Sequence, residues 1–220
     1  MKFIDLHTHR LTEADDIQIL NIFAQDIPKA KPEFLFSAGL HPWHIEKVNP
    51  EECISEIERI SGMKNFVAIG ECGLDRSVST DFALQEMIFK EQIRVAENQS
   101  KCLIIHCVRA YSDIINLKIQ TKSEVPWILH GYSGNMETTW SLIRHGFYFS
   151  VGERLLKNVS SHSVLRTIPT ERLFMETDDS EISIRQIYLS ASQILKIENE
   201  ILINLIFRNF KAVFGNETGS

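Results

Sequence analysis

A chain of 220 residues with 44% hydrophobic and 24% charged residues has ordinary globular composition and is long enough to bury a sizeable core in one domain. Its formal net charge of -6 excludes a broadly basic surface of the kind that neutralises duplex DNA, although bound divalent cations can supply local positive charge where a phosphate is held. Four cysteines without a Cys-x-x-Cys pair point to reduced thiols, and the absence of a long apolar stretch behind Met1-Lys2-Phe3-Ile4-Asp5 predicts a cytoplasmic protein with neither signal peptide nor membrane span.

The first apolar run, Phe3 to Leu6, leads into Asp5-Leu6-His7-Thr8-His9. Two histidines two apart at a strand end point to the same side, so both imidazoles can reach one ion; solvation or hydrogen bonding in the core is the alternative. The next run, Phe34 to Ala38, is followed by Gly39-Leu40-His41-Pro42, and residues 51 to 60 place Ile54, Ile57 and Ile60 at helical spacing. Phe66 to Ile69 opens onto Gly70-Glu71-Cys72-Gly73-Leu74-Asp75. Glycines on both sides of Glu71 let backbone approach closely and leave a carboxylate whose two oxygens can bridge two cations.

Asp81 is a candidate N-cap for a helix over Phe82 to Asn98, with Phe89, Ile93 and Ala96 on one face. The runs Cys102 to Ile105 and Trp127 to Leu129 end in His106 and His130, each either a hydrogen-bonded core residue or a site residue at a barrel mouth. Phe147 to Val151 and Leu173 to Met175 follow, the latter leading into Glu176-Thr177-Asp178. An Asp after a strand is commonly a helix N-cap; here the ligand reading is favoured, because the histidines otherwise lack a terminal acid partner. The last stretch carries Ile201, Leu205 and Leu202, Ile206, Phe210 on adjacent helical rows, a wide stripe that must dock on the fold.

These runs are continuous rather than alternating and are separated by helical patterns, as in parallel strands buried on both faces. The expected fold is a trimmed or distorted (β/α)8 barrel over residues 1–215, below the about 250 residues typical of the class. No clear strand candidate follows Asp178, so the eighth strand is expected to be short, irregular or missing, with a loose tail over Asn216 to Ser220. Imidazole nitrogens mixed with carboxylate oxygens suit zinc, manganese or another first-row dication, or magnesium if waters complete its shell. Arg109 is either a fork for phosphate oxygens or a helix-surface partner of Asp113. Trp43 and Tyr132 either stack unpaired bases or pack, His44, His145 and His162 read as solvated or capping, and Cys72 and Cys107 as small core residues.

In its ordered motifs the chain resembles the TatD family of metal-dependent deoxyribonucleases, among the amidohydrolase-like barrels. The motifs are Asp5-Leu6-His7-Thr8-His9, Gly39-Leu40-His41-Pro42, Ile69-Gly70-Glu71-Cys72-Gly73-Leu74-Asp75, Gln85 with Phe89, Gln92 and Ala96, Ile105-His106, His130-Gly131-Tyr132-Ser133-Gly134, Glu176-Thr177-Asp178, and Asn209 with Phe214. The resemblance implies two divalent ions (Mg, Mn or Zn), one held by His7, His9, Glu71 and Asp178 and the other by the shared Glu71 with His106 and His130. It implies hydrolysis of phosphodiester bonds in DNA, at single strands or 3′ ends, with Asp178, Glu71 and His41 catalytic and His41 on the scissile phosphate. Arg109 and Tyr132 are further substrate-contact candidates.

The chain departs from the family pattern at Asp179-Ser180, where Ala-Pro is usual, at Val108, where Arg is usual, and at Arg76, where an aromatic residue is usual. All three are rim positions that bear on substrate choice, so a small ester, lactone, amide or phosphotriester is the alternative substrate on the same site. A non-catalytic scaffold predicts lost ligands, and none is lost. Neither a membrane nor an obligate protein partner is expected.

Overall fold

The computed structural model describes residues 2–12, 15–29 and 34–215. Its strands are β1 (Ile4–Thr8), β2 (Ile17–Phe23), β3 (Phe36–Gly39), β4 (Phe66–Asp75), β5 (Cys102–Val108), β6 (Trp127–Leu129), β7 (Tyr148–Val151) and β8 (Leu173–Met175). Its helices are α1 (Pro50–Ile60), α2 (Phe82–Gln99), α3 (Tyr111–Thr121), α4 (Met136–Arg144), α5 (Glu153–Lys157), α6 (His162–Thr167), α7 (Ile184–Leu195) and α8 (Asn199–Phe214). The strands follow one another in the sheet in chain order, and Thr8 at the end of β1 bridges Asp178 just beyond β8. That is the connectivity of a (β/α)8 barrel.

The strand that the apolar runs lack does not follow Asp178. It is β2, paired with β1 through Ile4↔Ile17 and Asp5↔Gln18. Gln18 and Asn21 interrupt its apolar residues, and its exposure alternates for the first four positions, so it does not read as a continuous core strand. The expected shortness belongs instead to β8, only three residues long. The expected tail, Asn216 to Ser220, lies outside the described residues.

Packing divides the chain into two compact units, Met1–Leu20 with Ile128–Ser220, and Asn21–Trp127. In the second, α2 starts at the predicted cap, Asp81, whose side chain accepts the Leu84 N–H at 2.9 Å. Two buried glutamines of α2 then fix strand ends. Gln85 accepts the Asp75 N–H (2.8 Å) and donates to the Asp75 carbonyl (3.1 Å), and Gln92 does the same for Leu40 at 2.8 and 3.1 Å. Each amide satisfies backbone groups that a strand end would otherwise leave buried and unpaired. Glycine is required at Gly73, where φ is +138° and a Cβ would lie 2.1 Å from the His106 carbonyl oxygen, so any side chain would push β4 off β5.

In the first unit, Tyr188 of α7 uses one hydroxyl on both backbone groups of Ile4 (3.2 and 3.0 Å). Asn209 of α8 donates to the Thr170 and Leu173 carbonyls at 2.7 and 2.9 Å, anchoring the helix at the start of β8. Leu202, Ile206 and Phe210 of the predicted stripe are buried, but Ile201 is 48% exposed, so the docked stripe is narrower than the sequence implied.

Candidate active site

Glu71, His41 and His106 come together in the second unit. The Glu71 N–H donates to Asn21 Oδ1 (2.8 Å), an oxygen that also accepts Ser37 Oγ at 3.3 Å, which ties the carboxylate-bearing residue to β2 and β3. Glu71 Oε1 lies 3.0 Å from His41 Nε2 and 2.9 Å from His106 Nδ1. His41 Nδ1 accepts the backbone N–H of Trp43 at 3.1 Å. A backbone amide can only donate, so neutral His41 carries its proton on Nε2 and presents it to Glu71.

His106 faces a second carboxylate through its other nitrogen, with Nε2 3.0 Å from Asp75 Oδ2. Each nitrogen of His106 therefore faces a carboxylate oxygen. Asp75 also accepts the Trp43 indole N–H (2.7 Å) and the Ser77 N–H (2.7 Å). Burial alone would raise its carboxyl, but the bonds from Ser77, Trp43 and His106 override that and hold it at about 2. The neighbouring thiols are inert: burial pushes Cys72 up, and Cys107 to about 12.

His7, His9, His130 and Asp178 come together in the first unit. The His7 and His9 rings meet edge to face at 5.0 Å, and the His130 ring centroid is 4.4 Å from that of His7. Asp178 Oδ1 sits 3.7 Å from His7 Nε2 and 3.5 Å from His9 Nε2. These separations exceed hydrogen-bond length. They match the ~3.4 Å that separates two ligands of a tetrahedral ion bonded at ~2.1 Å. Asp178 does not cap a helix, since Ser183 caps α7 in a reciprocal box with Gln186. Its backbone has a φ of 53°, in the left-handed region, with its N–H on the His7 carbonyl at 2.9 Å.

Two acids behind these residues were not given roles from sequence. Glu176, fully buried, takes the Gly131 N–H on Oε1, which also lies 3.6 Å from His130 Nδ1. That places a carboxylate beside the imidazole, at more than hydrogen-bond length. Asp5 accepts the Thr177 N–H (2.8 Å) and hydroxyl (2.7 Å), locking the segment that carries Asp178 onto β1. Burial raises the Asp5 carboxyl to about 7 against the opposing pull of Thr177. The available signal was a charged residue inside an apolar strand, which stays buried only if partners meet it.

The donor sets fit a divalent ion. Ligand atoms of His7, His9 and Asp178 lie within 4.8 Å of one another, and the same holds for His130, Glu176 and Asp178, and for His41, Glu71 and His106. These are the borderline nitrogen and hard oxygen donors of first-row dications.

Other expected contacts fall differently. Tyr132 is 1% exposed, with its hydroxyl 2.6 Å from Thr139 Oγ1, so it packs and offers no face to a substrate. Trp43, by contrast, is 50% exposed. Arg109 is exposed with a φ of 55°, and Asp113 is taken by Arg76 in a two-pronged pair at 2.8 and 3.1 Å rather than by Arg109. His44, His145 and His162 bond to Gln25, the Ser141 carbonyl and the Leu156 carbonyl, in keeping with their non-ligand reading. No helix among the described residues is long and apolar enough to cross a membrane.

Residues 16–215 match the family model described as TatD related DNase. The chain is 34% identical over 157 residues to an uncharacterised metal-dependent hydrolase of Buchnera aphidicola, and 32% identical over 164 residues to a 3′-5′ ssDNA/RNA exonuclease TatD of Edwardsiella piscicida. Those matches take in 67% and 70% of this chain but only 60% and 62% of the relatives' own length. In fold it is similar to the crystal structure of YjjV, a TatD homologue from Escherichia coli, with a TM-score of 0.84 at 17% identity over 97% of this chain and 98% of the other. A TatD-family hydrolase from Entamoeba histolytica superposes with a TM-score of 0.78 at 16% identity, over 98% of this chain and 99% of that one.

Proposed function

Because the chain belongs to the TatD family of DNases, we propose that it is a metal-dependent hydrolase that cleaves phosphodiester bonds in DNA, trimming single strands from the 3′ end. The observation that carries this reading is Asp178, held at 3.5 and 3.7 Å from two imidazole nitrogens, at ligand spacing rather than hydrogen-bond spacing. One family model matched over 16–215 supports treating residues 1–215 as a single functional domain.

We assign His7, His9 and Asp178 to one cation and His106 and His130 to a second, with Glu71 shared. The sharing of Glu71 and the pairing of His106 with His130 rest on the motif resemblance, whereas the local geometry supports His7, His9 and Asp178 as one set, with His130 beside His7. The bound ions would acidify a water and stabilise charge on the phosphoryl oxygens. The chain's own groups do the rest. Asp178 orients the attacking water and accepts its proton at its other carboxylate oxygen. His41, with its proton fixed on Nε2 by the Trp43 amide and directed at Glu71, is the residue we assign to the scissile phosphate. Arg109, exposed and without a claim on Asp113, can grip two phosphate oxygens.

A small neutral ester or lactone is the second reading. Asp179 and Glu181 stand exposed beside the Asp178 segment, where Arg10 is spent on the Asp179 carbonyl and Glu181 at 3.0 and 2.9 Å, which disfavours a polyanion locally. Turnover of 3′- and 5′-labelled oligonucleotides, set against ester, lactone and phosphotriester substrates, separates the two. A ladder growing from the 3′ end, absent in Glu71→Ala and Asp178→Asn, supports the nuclease. Turnover confined to the neutral substrates defeats it.

A further inference from the structure

Trp43 combines exposure with immobility. Half of the side chain is open to solvent, yet its indole N–H is held at 2.7 Å by Asp75 Oδ2, an oxygen that also takes His106 Nε2 at 3.0 Å. Its backbone is fixed as well: the residue sits in a turn closed by the His44 N–H on the His41 carbonyl (2.9 Å), with Pro42 at the second position, and its own N–H is on His41 Nδ1 (3.1 Å). The ring meets His41 and His106 edge to face, at 4.7 and 5.7 Å. An exposed large aromatic normally keeps its rotamer freedom in water; this one has lost it before any ligand arrives. Preordered aromatic area beside a catalytic histidine is what recognition of a flat apolar group requires, because little ordering entropy remains to oppose binding.

We propose that the open face of Trp43 is a stacking platform for an unpaired nucleobase adjoining the phosphate that His41 handles, which makes Trp43 the residue that distinguishes a base-bearing single strand from other phosphodiesters. This rests on the nuclease reading for its substrate, and on the anchored indole for the platform. Sequence-tolerant stacking fits the place, since every base has a π-face and the ring's one hydrogen-bond donor is already committed to Asp75. Asp75 also couples the platform to the site, because the carboxylate that orients the indole holds His106.

The test uses two readouts. In kinetics, the preference in kcat/KM for an oligothymidylate over the same strand carrying abasic residues at its 3′ end should fall roughly 5- to 150-fold in Trp43→Ala, the range of one base–aromatic stack. Trp43→Phe, which keeps a face but loses the indole N–H, should fall much less. In binding, chelator-treated protein carrying Trp140→Phe keeps Trp43 as its solvent-exposed indole, because Trp127 is fully buried and the 51% exposed Trp140 is removed. The base-bearing strand should quench that emission and the abasic strand should not. An unchanged preference in both variants, or equal quenching by both strands, overturns the platform even if wild-type cleavage is intact. Base-dependent quenching without strand cleavage keeps the platform and refutes the nuclease reading.

Discussion

Replacing Asp75 by asparagine exchanges one oxygen for an amino group at a carboxylate that only receives hydrogen bonds. Oδ1 takes the Ser77 N–H and hydroxyl, and Oδ2 takes the Trp43 indole N–H and His106 Nε2. The Ser77 hydroxyl can turn away, but the Ser77 amide and the indole cannot. Whichever way the new amide faces, one fixed N–H is set against an NH2 and loses its protein acceptor, which costs up to about 3 kcal/mol and less where water replaces the acceptor. Linkage gives the same scale: a carboxyl held at about 2 when folded, against 3.8 ordinarily, corresponds to roughly 2.5 kcal/mol at 1.36 kcal/mol per pH unit. The sign follows from which state protonates first. As pH falls through 4 the unfolded carboxyl takes a proton while the folded one does not, so this contribution is complete above about pH 4 and is lost toward pH 2. Urea unfolding of chelator-treated protein should place Asp75→Asn about 2–3 kcal/mol below wild type at pH 7, with the gap closing between pH 4 and pH 2. A variant within about 0.5 kcal/mol of wild type, or a gap unchanged over that acid range, would refute the reasoning.

Thr177→Val removes the hydroxyl that bonds Asp5 Oδ2 at 2.7 Å and Thr8 Oγ1 at 3.0 Å, leaving a buried acid short of a donor; urea unfolding should show a loss of about 1–3 kcal/mol. Because the same bonds hold the segment carrying Asp178, metal affinity measured by calorimetry should fall with stability. Burial lowers Lys118 to about 8 against the opposing charge of Glu97, and its ammonium lies 4.9 Å from the Trp127 ring. The unfolded lysine keeps its proton up to about 10.4, so folding stability contributed here rises between pH 8 and pH 10. Lys118→Met should therefore raise the unfolding midpoint by a few degrees at pH 7, and the gain should vanish above about pH 10.5.

The residues proposed as ligands stood out in the sequence because each lies at the end of an apolar run, where a polar residue interrupts a pattern that burial would otherwise continue. The order of those runs also carried the (β/α)8 connectivity. Strand β2 was hidden by Gln18 and Asn21, and Asn21 breaks the pattern because its side chain holds the Glu71 amide, a contact 50 residues away. Asp75 and Glu176 escaped assignment for the same reason. Glu176 takes Gly131, 45 residues away, and Asp75, although Ser77 bonds it locally, meets the site only through Trp43 and His106, 32 and 31 residues away. Trp43 and Tyr132 look equivalent as aromatics beside site residues. They differ because the Tyr132 hydroxyl finds Thr139 inside α4, whereas the Trp43 turn presents its ring outward.

Counting bound metal tests the central claim most directly. Metal-stripped protein dialysed against manganese or zinc should take up two equivalents per chain and recover 3′-end trimming of single-stranded DNA, while Glu71→Ala should keep at most one and recover no trimming. Full turnover in the stripped protein, or two equivalents retained without Glu71, would contradict a hydrolytic centre built on a pair of ions sharing that acid.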